Sequence, residues 1–106
     1  MAISSERKEA LMESVNSHRE RAQMERLEAD LAYKNDMYAL AAMKAYMCFR
    51  SCILSIHLEE QANNINSTYP ANLMLKEFKP FADTKESADK QFFITDEAMK
   101  KAGIKK

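Results

Sequence analysis

No glycine or proline occurs before Pro70, and Gly103 is the only glycine in the chain. Those two residue types stop helices and make tight turns, so nothing in the first 69 residues obliges a helix to end. One unbroken helix over residues 5–65 would be about 90 Å long at 1.5 Å per residue. The rest of a chain this size could not support such a rod, so it must fold back or associate. The weakest joint lies at Asn35 and Asp36, which favour caps and turns over helix interiors. The expectation is an all-α fold: one domain over residues 1–106, built on a long helical hairpin (about 5–34 and 36–65) with a hinge at 35–36.

The two arms differ in character. In the first, Ser4 or Ser5 can cap the N-terminus, Glu6 and Glu9 complement the helix dipole, and Arg26 is spaced to pair with Asp30. Its apolar residues form two partial stripes. One runs through Leu11, Val15 and Ala22; the other, Met24, Leu27 and Leu31, has the 3,4 spacing of a coiled-coil seam over a short length. The second arm carries no acid between Met37 and Leu58, and only Lys44 and Arg50 as cations. Its clearest stripe is Leu40, Met43, Met47, Leu54 and Leu58. Tyr38, Tyr46, Phe49, Ile53 and Ile56 extend apolar surface around the other faces, the pattern of a buried central helix or a membrane span.

Beyond Leu58 polarity returns, and the run NNINSTYP reads as a stop followed by Pro70 at the start of a new helix. Short helices are expected over about 70–79, 84–91 and 95–102, so that 66–106 forms a looser C-terminal region. Phe92, Phe93 and Ile94 would form a short extended segment between the last two, or a hydrophobic staple into the final helix. Thr95 would cap the final helix, Asp96 and Glu97 would reach Lys100 and Lys101, and Gly103 would close it.

Chemistry is constrained mainly by exclusion. A single glycine rules out the phosphate-cradling loops of the Walker and dinucleotide-binding types, and also the GxSxG nucleophile elbow. Cys48 and Cys52 share a helix face, but His57 lies well around the helix from Cys52, so the three do not converge on one metal ion. Both cysteines read as reduced, buried thiols, since a one-turn separation aligns their Cβ vectors poorly for a disulfide. No catalytic, cofactor-binding or metal-ligating residue is assigned, and no enzymatic activity is expected. The balance of 16 basic and 16 acidic side chains creates no field that would select nucleic acid. The opening MAISSERKEALM has no apolar core after a basic flank, so an intracellular, cytoplasmic location is expected.

Eight methionines remain to be explained, five of them (24, 37, 43, 47 and 74) on or beside apolar stripes. Methionine is flexible and polarizable, suited to surfaces that adapt to a partner helix. The expected function is that of a small non-enzymatic helical interaction protein, acting as an adaptor, chaperone or regulatory subunit. Its contacts would be Met24, Leu27, Leu31, Leu40, Met43, Met47 and Leu54, and its partner another protein or a second copy in a homodimer. The alternative is a membrane-associated subunit with residues 37–58 spanning the bilayer. By length those residues suffice, but Lys44 and Arg50 would each cost about 2.5–3.5 kcal/mol at the centre of a span.

Overall fold

The computed structural model of the chain describes residues 4–64 and 80–105, and among these it contains three helices and no strand. They are α1 (Ser5–Lys34), α2 (Tyr38–Ala62) and α3 (Lys85–Lys101). The helix expected over 70–79 lies outside the described residues.

α1 starts where the sequence indicates, with the Ser4 hydroxyl accepting from the Arg7 amide at 3.2 Å. It ends at the anticipated joint through a defined device. Asp36 adopts φ 59°, the Met37 amide donates to the Ala32 carbonyl at 2.9 Å, and the Asp36 amide donates to Tyr33 at 3.1 Å. This is a Schellman termination with aspartate where glycine is usual. Asn64 ends α2 with φ 61°. Gly103 ends α3 with φ 72°, and the Ile104 amide there donates to Met99 at 2.9 Å. Asparagine and aspartate thus supply the left-handed residues that a glycine-poor chain needs in order to turn.

α2 lies against both other helices, antiparallel to α1 and parallel to α3. Its N-terminus has no cap from its own chain neighbours: Met37 offers no side-chain acceptor and the first turn holds no acid. Asp83, just before α3, supplies one, its Oδ1 accepting from the Ala39 amide at 2.9 Å.

The C-terminal region differs from expectation. Residues 84–91 and 95–102 are not separate helices; α3 is continuous, capped by Thr84 Oγ1, which accepts from the Ser87 amide at 3.2 Å. Phe92, Phe93 and Ile94 are therefore helical, not extended. Thr95 caps nothing, but is buried in mid-helix and donates its hydroxyl to the Ala45 carbonyl of α2 at 2.8 Å. A helix-interior threonine reads as a cap in one dimension because only packing shows where its hydroxyl goes.

The core also runs along a different line from the large apolar residues. On α2 the buried positions include Ala41, Ala45, Cys48, Cys52, Ile53, Ser55 and Ala62; Cys48, Cys52 and Ile53 cluster with Ala22 of α1 and with Ala98 and Met99 of α3, and Ala41 clusters with Ala32 and Ala88. Small side chains at 3,4 spacing form most of the inward line of α2, with Ile53 the large residue beside them, and the other bulky residues fall on the flanks. Leu40, Met43, Leu54 and Leu58 are only half-buried, and Met47 is exposed. The stripe that stands out in the sequence of α2 thus runs along its flank.

Candidate interaction face

The first arm carries two stripes, and the fold gives them opposite fates. Val15 and Ala22 sit in the core, while Met24, Leu27 and Leu31 lie on the outer surface of α1 at 65%, 63% and 60% exposure. A helix can turn only one side to its neighbour; α1 turns its small residues inward and leaves the seam-spaced large ones in water. Met47 of α2, 38% exposed, lines a shallow groove of about 540 Å³ with Met24, Ser17, Glu20, Arg21, Glu25 and Glu28. Met24 and Met47 thus face one groove across the α1–α2 seam, among charged side chains. Met37 at the hairpin and Phe93 and Ile94 on α3 are exposed as well. An extended segment at 92–94 would have hidden the place of Phe93 on a helix surface.

Of the seven contact residues named from the sequence, the fold brings Met24 and Met47 to one groove and keeps Leu27 and Leu31 on the same helix as Met24. Leu40 belongs instead to the flank of an internal cluster with Ala32, Ala41, Ala88, Tyr33, Tyr38 and Phe92. Met43 and Leu54 are half-buried on α2.

Beneath the ridge lies a polar layer that fixes the helices in register. Glu25 and Arg26 are both buried despite their charge. The Ser51 hydroxyl donates to Glu25 Oε1 at 2.6 Å, joining α1 to α2. Arg26 reaches the other way: Nε donates to Asp96 Oδ1 at 2.9 Å, Nη2 to Asp96 Oδ2 at 3.3 Å and Nη1 to Asp30, with the guanidinium 4.1 Å from the centre of the Phe92 ring. Burial opposes the Arg26 charge, but Asp96 and Asp30 outweigh it and raise the pKa. Tyr33 adds a second link between α1 and α3, donating its hydroxyl to Asp89 Oδ1 at 2.8 Å while its ring lies against Phe92.

The two cations of the apolar arm are placed differently from each other. Lys44 Nζ is 2.8 Å from Glu28 Oε2 across the α1–α2 seam, and Arg50 is exposed. α2 is long and apolar enough to cross a membrane by length and composition, with a window of mean hydropathy 1.3, of which 44% is buried within the fold.

Cys48 and Cys52 are free, fully buried thiols, and a shared hydrogen bond together with burial pushes Cys48 well above the ordinary thiol range. Among the described residues no three metal-ligating side chains come together. The chain matches no protein-family model, no curated protein and no solved structure.

Proposed function

We propose that this protein works by association, as a small non-enzymatic helical protein that presents the outer face of α1 to a helical surface of another chain, in the manner of an adaptor, chaperone or regulatory subunit. The observation that carries the reading is the exposure of Met24, Leu27 and Leu31 on a helix whose opposite face is already satisfied by the core. Three large apolar side chains in one seam, with Met47 on the far side of a shared groove, make a patch of the kind that marks interaction sites, not the scattered exposure found on any protein surface. Lys44 supports a role for α2 as the centre of a soluble bundle, because its charge is matched by Glu28 on the neighbouring helix.

The test is a photo-crosslinking residue at position 27, compared with one at Gln61, an exposed polar position on α2. Defined protein adducts that form from position 27 and not from position 61 are expected. Equal or absent labelling, together with no uptake of an apolar dye by the purified chain, refutes the reading.

A further inference from the structure

Resting on that reading, we infer that the occupant of the α1 face is a second copy of this chain, docked antiparallel along α1 so that Arg21 of each copy meets Glu28 of the other. The seam through Met24, Leu27 and Leu31 continues in the same 3,4 rhythm to Glu20 on one side and Lys34 on the other. In a parallel pairing each of these would face its own copy, placing two carboxylates together at one end and two ammonium groups at the other. An antiparallel pairing removes both repulsions and brings Glu20 of one chain within about a turn of Lys34 of its partner.

Met24 then faces Leu27 twice, once on each side of the two-fold axis, as an isologous interface requires. Arg21 and Glu28 occupy equivalent flank positions, seven residues apart, beside Met24 in the same groove. Across an antiparallel seam such positions meet each other, giving two opposite-charge pairs by symmetry. Glu28 holds Lys44 through Oε2, yet its side chain is 45% exposed and Arg21 is exposed as well, so both can also reach outward to a partner chain. A face with both signs in this order complements itself; a uniformly basic or acidic partner would meet like charge at one end.

The apolar patch is small. Stable interfaces cover about 800 Å² on each partner, more than three ridge residues and Met47 provide, so the dimer belongs to the weak class, with a dissociation constant on the order of micromolar.

Sedimentation equilibrium of the purified chain should show a monomer–dimer exchange over the micromolar range. Leu27→Glu should abolish it while leaving the helical signal intact, since Leu27 contributes little to the core. Arg21→Glu and Glu28→Arg should each weaken self-association about tenfold, because each turns two attractive pairs into two repulsive ones. Mixing those two variants should restore dimer at wild-type strength. One variant carries a carboxylate at both positions and the other a guanidinium at both, so each flank of the mixed dimer again holds an opposite-charge pair. A mixture that stays monomeric overturns the antiparallel pairing. Wild-type protein that remains monomeric at about 0.5 mM, far above the expected constant, while position 27 still crosslinks to other proteins, overturns the second copy as occupant and leaves the interaction reading standing. The absence of every specific adduct, together with no dimer and no uptake of an apolar dye, overturns both.

Discussion

Removing the Asp96 charge should cost more stability than removing the buried Arg26 charge, although the two form one ion pair. The Arg26 side chain is only 6% exposed, whereas Asp96 and Asp30 keep 31% and 49% exposure. Arg26→Met keeps the apolar stem, frees both carboxylates to rehydrate and recovers the cost of holding a cation out of water. The loss is three charge-assisted hydrogen bonds, two to Asp96 and one to Asp30, of about 1.5–3 kcal/mol each, and a ring contact of about 1 kcal/mol, largely offset by that recovery. The net destabilisation expected is about 1–2 kcal/mol. Asp96→Asn instead leaves the guanidinium buried with only Asp30 to balance it. Breaking a buried pair from the exposed side costs about 3–5 kcal/mol, and the surviving Asp30 contact sets this case near the lower end.

Against a total stability of about 5–15 kcal/mol, Asp96→Asn should lower Tm by roughly 10–20 °C and Arg26→Met by about one to two thirds of that. Urea unfolding of both single variants and the double variant measures the difference. The double variant should resemble Arg26→Met, since no buried charge is then left unpaired. Arg26→Met costing as much as Asp96→Asn, or a double variant that loses the sum of the two, would show that the layer is not governed by the burial of the guanidinium.

Two further outcomes follow from the core and its flanks. Ala22→Leu should destabilise by about 1–3 kcal/mol through overpacking where Cys48, Cys52, Ala98 and Met99 converge, while Leu27→Ala should stay within about 0.5 kcal/mol; denaturant midpoints compare them, and equal losses would mean that α1 presents another face to the core. Cys48 should resist thiol reagents at pH 8 and react only as the fold opens. Its folded-state pKa is raised above the ordinary 9.0, so its contribution is intact below that pH, and above it the unfolded chain loses the proton first. Stability should therefore fall by up to about 1.4 kcal/mol per pH unit in the alkaline range, read by thermal melts at pH 8, 9 and 10, and a flat profile would refute it.

The hairpin is legible because its signals are local. Ser4 at one end, Asn35 and Asp36 at the other, and the absence of any stronger breaker mark α1 and the turn from neighbouring residues alone. The continuity of α3 is hidden for the same reason: Thr95, Asp96 and Glu97 form a good local cap, and only the contacts with Ala45 and Arg26 show that Thr95 and Asp96 are committed to other helices. The candidate face is half legible. Spacing picks out Met24, Leu27 and Leu31, but size misleads on α2, where Leu40, Met43 and Leu54 stand out in the sequence while alanine, cysteine and serine, joined by Ile53, form the interior.

By itself the sequence determined that the chain is helical, where it first turns back, and that it holds two competing stripes on α1. Helix formation and termination depend on the conformational preferences of residues within a turn or two, which the sequence states directly. Only the tertiary structure decided which stripe faces inward, because that depends on how closely two helices can approach. Small side chains won that competition, and the larger ones were left on the surface where a partner can reach them. The same holds for Asp83, which caps α2 from 44 residues away in the chain, and for Arg26, whose buried charge is tolerable only because α3 brings Asp96 to it.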